Sequence, residues 1–247
     1  MSTHIAMWSG PRNISTALMR SFDSRADTFV SDEPLYAAYL LATGKQHPMA
    51  AEIIERHESD SLRVTNALAG EIPNGRSVWF QKHMTHHLLP ETDRSWLSKV
   101  EHAFLIRKPR AMLASLAKKL DSVAIEDTGL PQQVELHREL HSLTHKLPPV
   151  IVASDLLAEP KGVLTALCNQ IGLEFDKAML SWEAGPRSTD GCWGPVWYEN
   201  TNASTKFTPP TPKPINLPEN LEPIARECDE LFAKLAQYRV RANNTEA

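Results

Sequence analysis

Cysteine is scarce in this chain, and long apolar runs are missing. Three cysteines, Cys168, Cys192 and Cys228, stand far apart among 247 residues. This spacing fits neither a disulfide framework nor a zinc site, and it is typical of a reducing compartment. The N-terminal MSTHIAMWSG lacks the apolar region and cleavage pattern of a secretory leader, and no apolar run approaches the roughly 18 residues that a membrane span needs. We therefore expect a cytoplasmic protein without a membrane partner.

An excess of positive charge is missing as well. The formal net charge is -4, which argues against nucleic acid as a partner. Any anion site must therefore be a local basic cluster. Hydrophobic residues make up 42% of the chain, which is enough for a packed core. The length predicts one domain over residues 1–247.

Short apolar segments alternate with amphipathic ones along most of the chain. Strands are predicted in HIAMWS, TFVSD, RSVWFQKH, HAFLIRK and PPVIVASD, and helices follow most of them. This order predicts an α/β fold, a parallel sheet with helices on both faces, whose ligands bind at the carboxyl ends of the strands. A long loop rich in Gly, Trp and Pro is predicted over about 184–218, and a last helix is predicted over about 219–239.

The loop after the first strand lacks the Gly-Lys pair of nucleotide kinases. Their pattern G-x-x-x-x-G-K-[ST], aligned on Gly10, places Ser15 and Thr16 where glycine and lysine are required. The loop carries Arg12 instead, and a helix is predicted to begin near the two hydroxyl residues. A helix N-terminus with one cation favours an anion such as phosphate or sulfate.

The fourth strand lacks the aspartate that kinases often place at a strand end for magnesium. HAFLIRKPR ends in Arg107, Lys108 and Arg110. A site built this way supplies its own cations, so we expect no metal.

Four blocks in order resemble the sulfotransferase family that uses 3′-phosphoadenosine 5′-phosphosulfate. The stretch PRNIST, residues 11–16, is similar to the family's P-[KR]-S-G-[TS]-[TS] loop, and RKPRAMLAS is similar to R-x-P-R-[DE]-x-x-x-S. The block ASDLLAEP resembles Y-E-D-L-x-x-x-P, and RSTDGCW resembles a late R-x-x-x-G-x-W loop. Departures from the family pattern are Asn13 for serine, Ile14 for glycine and Ala111 for an acidic residue.

The resemblance implies a P-loop-type sulfotransferase fold and the transfer of a sulfuryl group to a hydroxyl or amine of a small molecule. It implies 3′-phosphoadenosine 5′-phosphosulfate as donor and adenosine 3′,5′-bisphosphate as product, with no metal. The donor-binding residues that it implies are Pro11, Arg12, Asn13, Ile14, Ser15, Thr16, Arg107, Ser115, Arg187 and Gly191. Arg12 and Lys82 would neutralise charge on the sulfuryl group and the leaving phosphate.

Two residues are candidates for the base that deprotonates the acceptor. Glu33 in DEPLY follows the second strand, and His83 in QKHMTHHLLP follows Lys82. In some branches of the family a glutamate in an E-P-[LF] block is the base, and in others a histidine in K-[TS]-H-L-P. A neutral histidine suits this work at pH 7, whereas a carboxylate needs a pKa raised by burial. His86 and His87 lie nearer the LLP segment, and a metal site formed by the three histidines is disfavoured because no further ligand stands nearby.

Two other functions fit parts of the sequence. A small-molecule kinase with a degenerate loop would use Asp155, which also fits a structural cap of the next helix. A nucleotide-binding scaffold that has lost its chemistry is consistent with Ile14. The tryptophans between Trp182 and Trp197, with Tyr198, fit either an acceptor pocket or ordinary packing. The oligomeric state and the acceptor are not readable from the sequence.

Overall fold

The structure, a computed structural model, describes residues 2–120, 122–209 and 214–242. The sheet has five parallel strands in the order β2-β3-β1-β4-β5. The strands are β1 Thr3–Ser9, β2 Thr28–Asp32, β3 Val78–Met84, β4 Glu101–Ile106 and β5 Val150–Val152. The predicted parallel α/β fold is confirmed.

Eleven α-helices and six 3₁₀ segments are present within the described residues. The α-helices are α1 Ser15–Asp23, α2 Tyr36–Thr43, α3 Ala50–Arg56, α4 Ser61–Leu68, α5 Pro109–Leu116, α6 Leu130–Thr144, α7 Ala153–Ala158, α8 Pro160–Gln170, α9 Gly194–Trp197, α10 Glu199–Asn202 and α11 Glu222–Ala236. The 3₁₀ segments are Pro73–Gly75, Thr85–His87, Ser95–Lys99, Glu126–Thr128, Lys177–Leu180 and Glu219–Leu221.

Helices cover both faces of the sheet because each central strand alternates its apolar side chains between two cores. In β1, Ala6 and Trp8 enter a core with α4, α5, α6 and α11. Ile5 and Met7 enter the opposite core with α1, α7 and α8. This alternation follows from the period of two in a strand. It leaves the carboxyl ends of the strands free to carry polar groups.

A third core, rich in aromatic residues, packs α2 against the late segment, which is the part of 184–218 that the structure describes. Tyr36, Tyr39 and Leu40 of α2 pack there with Trp193 and Tyr198. The segment predicted as a loop over 184–218 therefore contains α9 and α10 and is anchored by aromatic packing. Its residues 210–213, and Met1, Asp121 and residues 243–247 of the predicted domain, lie outside the described residues.

The strand predicted over PPVIVASD is shorter than expected. β5 ends at Val152, and α7 begins at the next residue, so Asp155 lies in the first turn of α7. The prediction that Asp155 caps the following helix is wrong, since no side chain caps α8 at its N-terminus. The Asp155 carboxylate lies 3.9 Å from the Arg239 guanidinium, and both side chains are more than 40% exposed.

Candidate active site

A cavity lies at the carboxyl ends of β1, β3 and β4. The phosphate loop (residues 11–16) forms one wall, the end of β3 with Thr85–His87 forms another, and the late segment with α9 and α10 closes the third. The residues used below that line this cavity are Arg12, Asn13, Ile14, Ser15, Thr16, Glu33, Tyr36, His47, Lys82, His86, His87, Arg107, Trp193, Trp197 and Tyr198. Most of the predicted site residues are thereby brought to one place.

The phosphate loop turns sharply into α1. Arg12 and Ile14 have φ angles of 59° and 63°, and Ile14 occupies the residue before α1. A β-branched residue in the left-handed region is an outlier. Ile14 therefore adopts a backbone conformation that is usually reserved for glycine. The N–H groups of the first helical turn have no acceptor within the helix. They are positioned to bind an anion.

Asn13 ties this loop to the sheet and offers one polar atom without a partner. Its Nδ2 donates to the Leu105 carbonyl oxygen over 3.3 Å. Its Oδ1 is buried and has no hydrogen-bond partner among the described residues. A buried acceptor of this kind is satisfied by a ligand or by water.

Two half-buried arginines lie side by side at the phosphate loop. Arg12 Nε donates to Ser115 Oγ over 3.0 Å, and an Arg12 terminal nitrogen donates to the Trp197 carbonyl oxygen over 3.2 Å. Arg107 donates to the backbone oxygen of Arg12 over 2.7 Å. Burial lowers the pKa of both guanidinium groups, and Arg12 lowers the pKa of Arg107 further. Neither arginine forms an ion pair with a carboxylate among the described residues, and this positive charge favours an anionic ligand.

Lys82 is the centre of a buried ionic cluster at the ends of β2 and β3. Its Nζ lies 2.7 Å from Asp32 Oδ1, 2.6 Å from Glu33 Oε1 and 2.8 Å from the Tyr198 hydroxyl. These three contacts use the three N–H donors of the ammonium group. Burial acts to lower the pKa of Lys82, but the two carboxylates together raise it. Lys82 is therefore charged and fully engaged with protein groups.

Glu33 lines the cavity in a strained backbone conformation. Its φ angle is 45°, and its side chain is about 10% exposed. Burial raises the pKa of Glu33, although Lys82 acts in the opposite direction. A carboxyl group with a raised pKa is a better proton acceptor than an ordinary surface glutamate.

The late segment is joined to the ionic cluster by three hydrogen bonds, and a fourth lies within the segment. The Tyr198 hydroxyl donates to Asp32 and accepts from Lys82 and from Trp193 Nε1, the last over 2.7 Å. The Gly191 N–H donates to Asp32 Oδ2 over 3.0 Å. Gly191 thus contacts Asp32 behind the cavity and does not line the cavity. The resemblance implied donor binding by Gly191, and the structure places this residue outside the lining of the cavity.

His83 points away from the cavity. It stacks on Trp8 with ring centroids 4.5 Å apart, and Nε2 lies 3.4 Å from Gln81 Oε1. Burial lowers its pKa to about 3. Neighbouring residues of a strand face opposite sides, so Lys82 in the cavity excludes His83 from it. We therefore do not retain His83 as a base.

Arg187 also lies elsewhere. Its guanidinium donates to the Glu183 carbonyl oxygen over 2.6 Å and lies 3.9 Å from Asp23. It lines a separate cleft with Arg20 and Asp23. The resemblance of RSTDGCW implies an arginine near the donor, but the contact with Asp23 of α1, beside that with Glu183, holds this arginine outside the cavity.

The cavity contains two histidines that the sequence interpretation left without a role. His86 and His87 end the 3₁₀ turn after β3, and both line the cavity. Thr85 Oγ1 donates to the Ser9 carbonyl oxygen over 3.2 Å, which fixes the turn against β1. The sequence feature that could have identified them is a pair of histidines just after a strand. Their entry into the cavity depends on the 3₁₀ turn, which the sequence did not predict.

Comparisons with known proteins agree with this geometry. The model of the sulfotransferase domain family matches residues 3–233. The chain belongs to this family. Within the described residues, no helix of this sulfotransferase-family protein combines the length and apolar character needed to cross a bilayer.

Two solved structures share the fold of this sulfotransferase-family protein. One is the sulfotransferase domain of the Synechococcus PCC 7002 olefin synthase, with 17% identity, a TM-score of 0.60 and coverage of 94% of this chain and 96% of that one. The other is a sulfotransferase from Alicyclobacillus acidocaldarius, with 11% identity, a TM-score of 0.56 and coverage of 96% and 95%.

A curated relative from Arabidopsis thaliana is the branched-chain-amino-acid aminotransferase-like protein 2. It is 34% identical over 229 residues, which is 92% of this chain but 40% of the relative. The chain spans about two fifths of the length of the curated relatives it matches.

Proposed function

We propose that this protein transfers a sulfuryl group from 3′-phosphoadenosine 5′-phosphosulfate to a hydroxyl or amine of a small molecule. The observation that carries this proposal is the shared cavity of an uncompensated arginine pair and a buried carboxylate. Arg12 and Arg107 favour an anionic donor, and Glu33 lines the same cavity. We also propose that the protein works in the cytoplasm, because its three cysteines are free thiols.

The donor end fits a phosphosulfate and a second phosphate. Arg12 and the N–H groups of the first turn of α1, which are donors that line the cavity, would bind the 5′-phosphosulfate. Arg107 and Ser115 lie next to it and would hold the 3′-phosphate. Fixed cations near the leaving oxygen stabilise the negative charge that develops as the sulfur–oxygen bond breaks. The proposed transfer therefore needs no metal ion.

In this proposal the hydroxyl or amine of the acceptor loses its proton near Glu33, which lines the cavity. Because Lys82 has its three N–H donors on protein groups, we assign it to holding the two carboxylates and not to direct contact with the sulfuryl group. This revises the role expected for Lys82. Trp193, Trp197 and Tyr198 line the cavity and bound the acceptor, whereas Trp182 packs on Phe207.

Arg107→Ala tests the assignment of the 3′-phosphate. Loss of a charge-assisted contact should weaken binding of adenosine 3′,5′-bisphosphate by about 1.5–3 kcal/mol. Binding of adenosine 5′-phosphosulfate, which lacks the 3′-phosphate, should weaken much less. Isothermal titration calorimetry measures both.

Arg110→Ala is the matched control, since Arg110 follows the same strand but forms a bidentate pair with Glu222 outside the cavity. It should leave both affinities unchanged. Equal losses for the two ligands in Arg107→Ala would contradict a role of Arg107 in binding the 3′-phosphate.

A further inference from the structure

A second carboxylate lines the cavity from the connection between α5 and α6. Asp127 lies in the 3₁₀ segment Glu126–Thr128, and its side chain is 13% exposed. This segment packs against the residue that precedes the phosphate loop, since a Cβ atom at Gly10 would lie 2.1 Å from the Thr128 carbonyl oxygen. Asp127 therefore belongs to the part of the cavity wall that adjoins the phosphate loop.

The charge of Asp127 is balanced only from outside the cavity. Glu33, the other carboxylate among the described lining residues, is bonded to the buried Lys82. The partner of Asp127 is Lys45, with Nζ 2.5 Å from Oδ1; the Lys45 side chain is 42% exposed and does not line the cavity. The other oxygen, Oδ2, accepts from the Ala124 N–H over 2.9 Å. Because an exposed lysine gains little from such a pair, another cation can replace Lys45.

The groups beside Asp127 in the cavity wall suit a cation. Burial lowers the pKa of His47 and of His86, so both rings are neutral at pH 7 and neither supplies a competing positive charge. The Nδ1 atom of His86 is buried and has no hydrogen-bond partner among the described residues. Tyr36, whose hydroxyl lies 2.9 Å from His47 Nδ1, adds an aromatic ring to the same cavity, and aromatic faces attract cations.

We propose that Asp127 binds a protonated amine of the acceptor, so that the favoured acceptors carry an ammonium group beside the reacting hydroxyl or amine. This inference rests on the proposed sulfuryl transfer and names the class of its acceptor. The ammonium group of the acceptor displaces Lys45 from the carboxylate and keeps its protons throughout. The bond between sulfur and the bridging oxygen of the donor breaks with its electron pair on the 5′-phosphate, and sulfur bonds to the reacting oxygen or nitrogen, which releases its proton.

Equilibrium binding to the full chain tests this charge preference. The probes are amino alcohols of about two to six carbons, each compared with the alkanol in which a methyl group replaces the ammonium group. Isothermal titration calorimetry should show that the wild type binds at least one amino alcohol more tightly than its matched alkanol. Asp127→Asn keeps an acceptor for the Ala124 N–H. It should weaken binding of that amino alcohol about 10- to 100-fold, as for the loss of a hydrogen bond to a charged group, and leave the alkanol unaffected.

Lys45→Met distinguishes a binding role of Asp127 from a purely structural ion pair. Methionine removes the competing ammonium group, so the amino alcohol should bind about two- to fivefold more tightly. A pair that only fastened two connections together would give weaker binding in both variants. Glu126→Gln is the matched control, because Glu126 is the neighbouring exposed carboxylate and does not line the cavity; it should change neither affinity.

Three results would overturn the proposal: no preference of the wild type for any amino alcohol, an unchanged amino alcohol affinity in Asp127→Asn, or weaker binding in Lys45→Met. Bisphosphate binding, followed by the melting temperature, separates this inference from the proposed function. Wild type and Asp127→Asn should bind the bisphosphate equally. Failure of the wild type to bind it would overturn the proposed function, whereas the calorimetric comparison needs no bisphosphate and would still decide whether Asp127 binds an amine.

Discussion

At the scale of single residues, Arg12 is the cation of the phosphate loop, which lacks the lysine of nucleotide kinases. Arg12 is fixed by Ser115 and by the late segment. Ile14 holds a left-handed conformation at φ 63°, which costs on the order of 1–3 kcal/mol. A strained β-branched residue persists where surrounding contacts impose it, and here part of its side chain packs on the core beneath α1.

Arg12→Lys and Arg12→Ala test the guanidinium itself. Lysine keeps the charge but loses the planar fork that matches two oxygens of a tetrahedral group, so we expect a partial loss of rate. Arg12→Ala should lose about 10²–10³-fold, as for removal of an oxyanion donor. Single-turnover transfer measures both, with circular dichroism as the control for folding. A folded Arg12→Ala protein with the wild-type rate would give the arginine a purely structural role.

At the scale of elements, the late segment completes the cavity through Tyr198. Its hydroxyl is bonded to Asp32, Lys82 and Trp193, all of them buried. These bonds couple α9 and α10 to the ends of β2 and β3. The segment is therefore part of the candidate site and not a flexible connector.

Tyr198→Phe should loosen this segment. Removal of the hydroxyl takes one hydrogen-bond partner from each of the buried side chains of Asp32, Lys82 and Trp193, which costs about 1–3 kcal/mol. Hydrogen exchange measured by mass spectrometry should be faster in residues 191–204. Tyr36→Phe is the matched control, because its hydroxyl bonds only the partly buried His47 among the described residues. Unchanged exchange in Tyr198→Phe would mean that aromatic packing alone holds the segment.

The sequence predicted the strands and the loop well because their signals are local. The alternation of apolar residues and the position of Arg12 were sufficient to place the phosphate loop at a strand end. The sequence did not predict that His83 and Arg187 lie outside the cavity. The first follows from the period of two once Lys82 is placed in the cavity, but the second depends on contacts with α1 more than 150 residues away in the chain. His87 and Tyr198 likewise depend on tertiary packing.

At the scale of the whole molecule, buried neutral histidines make the fold sensitive to acid. Burial lowers the pKa of His83 and His86 to about 3 and that of His102 to about 4. The unfolded chain binds protons at these residues below about pH 6.5, whereas the native state does not. Their contribution to stability is therefore complete above that pH and is lost as the pH falls toward the native values.

We expect the free energy of unfolding to drop by about 4 kcal/mol per pH unit from these three histidines below pH 6.5, at about 1.4 kcal/mol each. Glu33 acts in the opposite direction, since its raised pKa adds stability as the pH falls. Denaturant unfolding at pH 7.5, 6.5 and 5.5 measures the net slope. His83→Phe keeps a ring beside Trp8 and should reduce the slope by about one proton. Equal stability at pH 7.5 and 5.5 would show that these histidines titrate normally in the native state.

The central claim is that the cavity binds the sulfuryl donor with arginines and without magnesium. The most direct measurement is the melting temperature with adenosine 3′,5′-bisphosphate, in the presence and absence of magnesium, beside ATP with magnesium. At about 100 times Kd the bisphosphate should stabilise the protein by about 2.7 kcal/mol, equally with and without the metal. A larger shift with ATP and magnesium than with the bisphosphate would contradict this account and favour a kinase.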